Sequence, residues 1–368
     1  MMESRLQRDL DTLRSQAQFR TLETPSGINF CSNDYLALAS DERLREALSA
    51  AVAGGIALGG TGSRLLSGHS KVWDDLEAEF AEFVGAEAAL FFGSGYAANT
   101  GLLASVLQPN DTVFSDEFNH ASIVDGIRMT RAERVIFPHL DLHFLESALA
   151  ENRKGEKFVV VESIFSMDGD RAPLPDLMAL CERFGANLVV DEAHATGVAG
   201  PEGRGLAAAA GRRIFATVHT CGKALASAGA FVAGSKALKD YLVNHARPFI
   251  FSTALPPYMA LQVRAALRLA QTAEDRRSHL AEMGDLLRMK LKQGGFDTRL
   301  SDSQIIPVVL GSNETALKCA ERLKAGGFGV RAIRPPTVPA GTARLRISLT
   351  SGHSNDDIDK LAAALHES

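Results

Sequence analysis

Short apolar runs alternate with segments of helical periodicity through the first two thirds of the chain. The runs are rich in Val, Ile, Leu and Phe, which is typical of strands buried on both faces of a sheet. We predict these strands at 88–92, 112–114, 134–137, 158–161, 188–190, 215–218 and 230–232. Between them, apolar residues recur every three or four positions, which predicts helices at 97–107, 123–129, 144–151 and 174–184. This order predicts an α/β fold, a mainly parallel seven-stranded sheet with helices on both faces.

The pattern changes after Pro257. A long helical region runs to about residue 292, and Ser354 with Asp357 three residues later predicts a capping box at the start of the last helix. Between these helices lie predicted strands at 305–310, 330–333 and 344–349 and a helix at 314–325. We therefore predict three parts, which are an N-terminal segment with a helix and a short strand at 1–45, a large ligand-binding α/β domain at 46–257, and a smaller α+β domain at 258–368.

Composition and charge narrow the class of protein. Of the 368 residues, 46% are hydrophobic and 23% are charged, as in an ordinary globular protein. The formal net charge of -5 and the pI near 6.1 argue against nucleic acid as a partner. The four cysteines are scattered without the spacing of a metal site, so we expect no metal. Because no apolar run is long enough to cross a bilayer, we expect no membrane partner and a cytoplasmic location.

Ionisable residues follow two of the predicted strands. Asp191 and His194 come directly after the strand at 188–190, and Thr220 and Lys223 come after the next one. Ligands of open α/β sheets bind at the carboxyl ends of the strands. Pyridoxal 5'-phosphate (PLP) requires such a pair, a lysine that forms a Schiff base and a carboxylate that partners the ring nitrogen. The alternatives are a helix N-cap for Asp191 and a solvated surface lysine for Lys223.

A glycine-containing turn opens one of the predicted helices. Ser94, Gly95 and Tyr96 follow a strand there, and their backbone amides with the helix dipole would hold a phosphate. The turn also nearly matches the dinucleotide fingerprint, with Ala98 in the last small position and Asp116 about 20 residues further on. A nicotinamide- or flavin-dependent oxidoreductase is therefore an alternative at this point.

Three further stretches carry candidate residues. His120 follows a strand, and an imidazole can stack on a flat ring, although a structural histidine is the simpler interpretation. Ser166 lies in the Asp- and Gly-rich stretch 162–170, which by itself indicates a turn. The glycine-rich segment 59–68 is either a surface loop or a place where backbone approaches an anion closely.

Jointly these motifs resemble those of the fold-type I PLP-dependent transferases, and among them the α-oxoamine synthases, which join a small amino acid to an acyl-CoA thioester with loss of carbon dioxide. The matching stretches include 32–36 (Ser-Asn-Asp-Tyr-Leu), 165–170 (Phe-Ser-Met-Asp-Gly-Asp), 191–197 (Asp-Glu-Ala-His-Ala-Thr-Gly), 251–257 and 343–346. The stretch 333–342 is similar to one subgroup, the 8-amino-7-oxononanoate synthases of biotin synthesis. The resemblance implies a PLP-dependent acyltransferase that condenses L-alanine with pimeloyl-CoA or a pimeloyl-carrier protein.

The resemblance also implies a role for each candidate residue. The implied catalytic residues are Lys223, His120 and Asp191. The implied PLP-binding residues are Ser94, Gly95, Tyr96, His120, Ser166, Asp191, His194, Thr220, Lys223 and Thr253. The implied substrate-binding residues are Arg20, Arg346, Thr337 and His120, with Arg346 on the amino-acid carboxylate.

The resemblance implies small-molecule substrates and a homodimer with active sites at the interface. Thr253 and the segment 59–68 would then serve the partner's site. Two alternatives remain besides the oxidoreductase. One is a sister synthase that uses glycine or serine with another acyl-CoA, since Asn119 before His120 is more typical of relatives that use glycine. The other is a catalytically inactive structural subunit, against which the intact Lys223 argues.

Overall fold

The computed structural model describes residues 2–151 and 153–367. The helices are α1 Met2–Ser15, α2 Glu42–Ala53, α3 Lys71–Val84, α4 Gly95–Val106, α5 Ala121–Arg128, α6 Leu142–Ala150, α7 Leu174–Phe184, α8 Lys236–His245, α9 Arg247–Ile250, α10 Pro257–Gln271, α11 Glu274–Gln293, α12 Asn313–Ala325 and α13 Asn355–His366. The strands are β1 Ile28–Asn29, β2 Ala88–Phe92, β3 Thr112–Asp116, β4 Glu133–Phe137, β5 Lys157–Glu162, β6 Ala186–Asp191, β7 Ala216–Thr220, β8 Ala230–Gly234, β9 Ile305–Gly311, β10 Phe328–Gly329, β11 Arg331–Ile333 and β12 Ala343–Ser348. Short 3-10 helices lie at Pro201–Gly203 and Leu206–Arg213. Within the described residues, every helix is too short or too polar to cross a lipid bilayer.

The main sheet has seven strands in the order β2-β8-β7-β6-β5-β3-β4. Neighbouring strands from β7 to β4 are parallel, whereas β8 runs antiparallel to both β2 and β7. The prediction of a mainly parallel sheet is confirmed, and every predicted strand of this sheet is present. The carboxyl ends of β3, β5, β6 and β7 therefore meet at one edge.

Helices cover both faces of this sheet, as predicted. Along β5, Phe158 and Val160 belong to a hydrophobic cluster with residues of α4, α5 and α8, whereas Val159 and Val161 belong to a second cluster with residues of α6 and α7. Successive side chains of a strand point to opposite faces, so a continuous apolar run fills two cores at once.

The chain divides into two compact units. The larger holds Leu36–Ser166 and Arg171–Arg277, with the whole seven-stranded sheet. The smaller holds the residues up to Tyr35, the short segment Met167–Asp170, and the residues from Ser278 onward.

The compact units divide the chain at other places than the predicted domains 1–45, 46–257 and 258–368. Helix α10 lies in the larger unit because it packs against α2 and α3. Pro257 is the first residue of α10, a position where proline costs no hydrogen bond. The change of pattern at this proline therefore coincides with the start of a helix inside the larger unit. As functional domains, the three ranges stay a prediction.

The smaller unit has the predicted α+β character. An antiparallel sheet has the order β11-β12-β9, and β1 pairs with β10 in parallel. Helix α12 packs against this sheet and against α13. The predicted capping box of α13 is confirmed, because Ser354 Oγ accepts the N–H of Asp357 and the Asp357 carboxylate accepts the N–H of Ser354.

Candidate active site

Two carboxylates end neighbouring strands on the same face of the main sheet. Glu162 is the last residue of β5 and Asp191 the last residue of β6, and the two are partners in the parallel register. Because side chains alternate along a strand, both share the face of Val160 and Val189, which α4 and α5 cover. Both carboxylates are buried, so hydrogen bonds or charges have to compensate their lost hydration.

Asn99 of α4 holds the Asp191 carboxylate. Its side-chain Nδ2 donates to Asp191 Oδ2 at 2.7 Å, and the backbone N–H of Ala193 donates to Oδ1 at 2.9 Å. The second hydrogen of the Asn99 amide goes to Ser122 Oγ of α5, at 2.9 Å. The helix N-cap alternative for Asp191 is wrong, since residues 193–198 form turns and no α-helix.

Lys223 lies in the turn that follows β7. Its Nζ is 2.7 Å from Nε2 of His194, which lies in the turn after β6. The N–H of Ser227 donates to the carbonyl of Cys221 and closes the loop around the lysine. Lys223 is half-buried and not a solvated surface lysine. The amine and the imidazole that the sequence placed after two separate strands are thus in hydrogen-bond contact.

The start of α4 and the end of β7 form a cradle of small and hydroxyl residues. Ser94 caps α4, with its Oγ accepting the N–H of Ala97 at 3.1 Å. Gly95 and Tyr96 stand in the first turn, where backbone amides have no acceptor within the helix. A Cβ on Gly95 would lie 3.6 Å from Thr220 Oγ1, so these two residues are direct neighbours. Amides, hydroxyl and helix dipole together suit a phosphate.

His120 and Ser166 reach the same edge of the sheet from β3 and β5. His120 is the N-cap residue of α5, and its Nδ1 accepts the N–H of Ser122 at 3.2 Å. Glu162 Oε2 accepts the N–H of Ser166 at 3.2 Å. Glu162 therefore ties Ser166, one of the predicted ring-contacting residues, to the end of β5.

The fold favours the protonated form of Glu162. Burial, and next the neighbouring Asp191 carboxylate, raise the pKa of Glu162 to about 8, while Lys223 acts in the opposite direction. Glu162 Oε1 has no hydrogen-bond partner among the described residues. Burial also lowers the pKa of His120, whose imidazole is therefore neutral near pH 7.

The substitution Glu162→Gln should remove a pH-dependent loss of stability. A pKa raised from the ordinary 4.5 to about 8 means that the folded protein binds the proton more tightly than the unfolded chain. As the pH rises through this interval, Glu162 ionises in the unfolded chain before it ionises in the folded protein, and the folded protein progressively loses stability. The free energy of unfolding of the variant minus that of wild type should therefore increase between about pH 4.5 and about pH 8.

Urea unfolding of both cofactor-free proteins at a series of pH values measures this difference. Glu82→Gln, which changes an exposed carboxylate of α3, serves as the control and should show no such trend. If the difference in unfolding free energy between Glu162→Gln and wild type stays constant with pH, folding does not raise the pKa of Glu162.

Thr253 borders a cavity at the start of α4. The cavity has a volume of about 220 Å³, and its lining includes Thr253 and Ser94. The N–H of Ala254 donates to the carbonyl of Gly62 at 2.9 Å, so the segment of Thr253 lies against the glycine-rich segment 59–68. The two elements predicted to serve a partner's site are therefore adjacent to each other.

The predicted substrate residues Arg20, Thr337 and Arg346 belong to the smaller unit. The Arg20 guanidinium donates to Thr337 Oγ1 at 3.4 Å, and both side chains are exposed. Arg346 on β12 is buried and donates to Asn33 Oδ1 at 3.1 Å. The structure thus brings Arg20 and Thr337 together and holds Arg346 against the amide oxygen of Asn33.

Asn119, which precedes His120, serves the main sheet. Its Nδ2 donates to Ser115 Oγ at 2.9 Å and to the carbonyl of Val160 at 2.7 Å, and the side chain is buried. These bonds connect β3 to β5. The asparagine therefore has a structural role at this edge of the sheet.

Cysteine side chains are dispersed through the fold. All four, Cys31, Cys181, Cys221 and Cys319, are free thiols. Burial raises the pKa of Cys181 to about 12 and also that of Cys221, so both act as small apolar side chains. Across the described residues, no three or more His, Cys, Asp and Glu side chains are grouped so as to hold a metal ion.

Comparison with known proteins identifies the family. The family model described as aminotransferase class I and II matches residues 25–365. The chain belongs to this family. Similar curated relatives include an 8-amino-7-oxononanoate synthase from Anaeromyxobacter dehalogenans, 49% identical over 92% of this chain and 85% of the relative. Another, from Geobacter sulfurreducens, has the same name and is 44% identical over 97% of this chain and 96% of the relative.

Solved structures show the same fold. A serine palmitoyltransferase from S. paucimobilis with a bound PLP–myriocin aldimine superposes with a TM-score of 0.90 at 29% identity, over 98% of this chain and 96% of that one. The 8-amino-7-oxononanoate synthase of Francisella tularensis superposes with a TM-score of 0.80 at 28% identity, over 93% and 97%. The predicted fold-type I architecture and the resemblance to α-oxoamine synthases, above all to 8-amino-7-oxononanoate synthases, are confirmed.

The dinucleotide-dependent oxidoreductase alternative is wrong. Strand β2, which precedes the turn at Ser94, lies at the edge of the sheet and is antiparallel to β8. The dinucleotide fingerprint requires a strand inside a parallel sheet. Asp116, the acidic residue at the expected spacing, accepts the N–H groups of Phe118 and Leu140 and pairs with His139. Its carboxylate is thus engaged within the fold.

Sequence reasoning missed Asn99, Ser122 and Glu162. Asn99 stands four residues after Gly95, on the same side of α4, and is a polar residue that directly follows the apolar Ala97 and Ala98. That polar position was the available signal. Its partner Asp191 is 92 residues away, and no local pattern points to it.

Proposed function

We propose that the chain catalyses the decarboxylative condensation of L-alanine with pimeloyl-CoA, or with a pimeloyl-carrier protein, to 8-amino-7-oxononanoate in biotin synthesis. The observation that carries this proposal is the contact of Lys223 with His194 beside the buried Asp191 that Asn99 holds. Relatives with this name cover almost the whole chain. A cytoplasmic location, which the sequence leads us to expect, belongs to the same proposal.

The residues at the strand ends fit PLP as the cofactor. Asp191 offers a buried carboxylate for a protonated ring nitrogen, and Lys223 offers an amine for the aldehyde. Gly95 and Thr220 lie side by side where a phosphate would need backbone amides and a hydroxyl. We assign ring-substituent contacts to His194 and Ser166, as the family resemblance implies.

Two buried polar atoms support this fit. Glu162 Oε1 and Ser227 Oγ have no hydrogen-bond partner among the described residues, although buried polar atoms are normally satisfied. Both lie in segments that carry the proposed cofactor residues. When bound, PLP supplies an electron sink for negative charge at the substrate Cα.

Four residues of the chain would then carry the reaction. Lys223 takes the Cα proton of the amino acid and later returns a proton to the product. Asp191 keeps the ring nitrogen protonated through a charge-assisted hydrogen bond. His120 donates a hydrogen bond to the thioester oxygen as negative charge develops there. Arg346 binds the amino-acid carboxylate until it leaves as carbon dioxide.

A homodimer with active sites at the interface is part of the proposal. Leu65, Leu66 and Phe251 are exposed, on the two segments that meet near Thr253. Grouped exposed apolar side chains are typical of protein interfaces. This surface would contact a second copy, so that Thr253 and the segment 59–68 serve the partner's site. Sedimentation equilibrium tests this, with twice the 39.3 kDa chain mass as the expected result and the mass of one chain as the contrary one.

Turnover across an amino-acid panel tests the proposed reaction. With PLP and pimeloyl-CoA, L-alanine should release CoA and yield 8-amino-7-oxononanoate, followed with a thiol reagent and by mass spectrometry. Glycine and serine should react at least about tenfold more slowly than L-alanine, because one methyl group or hydroxyl in a fitted pocket is worth about 1–3 kcal/mol. Absence of turnover with every amino acid and thioester would contradict the proposal.

A sister synthase that uses serine or glycine is the second candidate. The serine palmitoyltransferase superposes better than the solved 8-amino-7-oxononanoate synthase, with TM-scores of 0.90 and 0.80. Backbone superposition reports the fold that the whole family shares, whereas sequence identity compares the side chains, and the two relatives are 49% and 44% identical to this chain. We therefore give the sequence relatives more weight. A preference for serine with a long-chain acyl-CoA in the same panel would favour the sister.

A further inference from the structure

A buried hydrogen-bond chain connects the proposed ring-stacking histidine to the proposed ring-nitrogen partner. His120 Nδ1 is 2.8 Å from Ser122 Oγ, Ser122 Oγ is 2.9 Å from Asn99 Nδ2, and Asn99 Nδ2 is 2.7 Å from Asp191 Oδ2. Asn99, Ser122 and Asp191 are 3%, 1% and 5% exposed, so water does not compete for these bonds. The direction of every hydrogen bond in this series can therefore be worked out from its donor and acceptor groups.

The direction starts at Asp191. A carboxylate only accepts, so the Asn99 side chain must present its NH₂ group, and not its oxygen, to Asp191 Oδ2. The same NH₂ group donates its second hydrogen to Ser122 Oγ. Because Ser122 Oγ accepts there, its own hydrogen is available for His120 Nδ1.

His120 Nδ1 is consequently an acceptor. It faces the Ser122 hydroxyl at 2.8 Å and the Ser122 backbone N–H at 3.2 Å, and both groups donate toward it. A neutral imidazole has one hydrogen, which must then sit on Nε2. The titratable groups that act on His120 are the Asp191 carboxylate and the Lys223 amine.

We propose that Ser122 and Asn99 are positioning residues that hold His120 in the Nε2–H tautomer, so that its ring can donate a hydrogen bond to the reacting oxygen. The inference rests on the proposed function for the identity of that oxygen. The geometry of the hydrogen bonds from His120 to Asp191 does not depend on the proposed function. Because one amide serves both bonds, Asn99 also sets the orientation of the Asp191 carboxylate and that of the Ser122 hydroxyl together.

The substitution Ser122→Ala tests the proposal in the holoenzyme. It removes the hydroxyl donor and leaves only the longer backbone N–H bond to Nδ1. We expect kcat for the condensation to fall about tenfold, as for loss of one buried hydrogen bond, while the KM for the amino acid changes by less than about twofold. Ser122→Thr keeps a hydroxyl and should restore most of kcat. Ser105→Ala is the control, since that buried hydroxyl of α4 bonds only the carbonyl of Gly101 among the partners described for it.

A tautomer readout separates positioning from a merely structural effect. In holoenzyme labelled with ¹⁵N-histidine, the His120 signals, assigned by their loss in His120→Gln, should show a protonated Nε2 and an unprotonated Nδ1. In Ser122→Ala they should move toward a mixture of both tautomers, and in Ser105→Ala they should not move.

Two results overturn the proposal. One is a protonated Nδ1 in the wild-type holoenzyme, and the other is an unchanged tautomer in Ser122→Ala. If His120 shows the expected tautomer but no thioester is turned over with any amino acid, the positioning inference stands and the proposed function fails. The two failures are therefore distinguishable.

Discussion

Replacing Lys223 by alanine should lower turnover of alanine and pimeloyl-CoA by at least about 10⁴-fold, because one amine provides both the covalent attachment and the proton transfer. The structure places this amine in contact with His194 at the carboxyl edge of the sheet, and Ala cannot replace either role. The visible absorbance of protein-bound PLP should change at the same time, since a covalent bond to the protein is lost. Coupled CoA-release assays and absorbance spectra measure the two effects.

The matched control is Lys236→Ala. Lys236 is an exposed lysine at the start of α8 that pairs with Asp240, and its loss should leave turnover within about twofold of wild type. The hypothesis of an inactive structural subunit predicts instead that neither Lys223→Ala nor Lys236→Ala changes the absorbance spectrum. An unaltered rate in Lys223→Ala would exclude this lysine from the reaction and with it the proposed function.

Arg344→Met should lower the free energy of unfolding by about 3–5 kcal/mol, as is typical when one partner of a buried ion pair is removed. The Arg344 guanidinium donates to Asp168 Oδ1 at 2.5 Å, and the side chains are 2% and 11% exposed. Both residues lie in the smaller unit. The variant would leave the Asp168 carboxylate buried without its cation. Urea unfolding followed by circular dichroism measures the loss.

Two further variants separate the ion pair from simple loss of an arginine. Arg331→Met removes an exposed arginine of the neighbouring strand β11, which pairs with Glu23, and should cost about 1 kcal/mol or less. The double variant with Asp168→Leu should recover most of the loss, because no unpaired charge remains buried. If Arg344→Met is no more costly than Arg331→Met, the pair contributes little to the stability of the smaller unit.

The elements of the main sheet were accessible from local sequence. A strand buried on both faces has to be apolar at every position, so its ends show as an abrupt change to polar residues. That change is enough to place Asp191 and Lys223 at strand ends. The antiparallel course of β8 was not predicted, although only nine residues, 221–229, separate it from β7 and such a connection is too short for a parallel crossover.

The residues that orient the site were not accessible in this way. Asn99 and Ser122 look locally like ordinary polar residues of two helices, and Glu162 looks like the polar end of a strand. Their importance follows from which helix covers which strand end. The same holds for the compact units, because helix α10 belongs to the larger unit through packing against α2 and α3.

Sequence alone determined the class of fold, the family, the cofactor hypothesis and the ionisable residues at the strand ends, because each rests on local periodicity or on contiguous motifs. The tertiary structure decided that Asp191 is held by Asn99, that Glu162 shares its buried face, and that Lys223 meets His194. The physical reason is that periodicity tells which face of an element is buried. Only packing tells which distant segment covers that face.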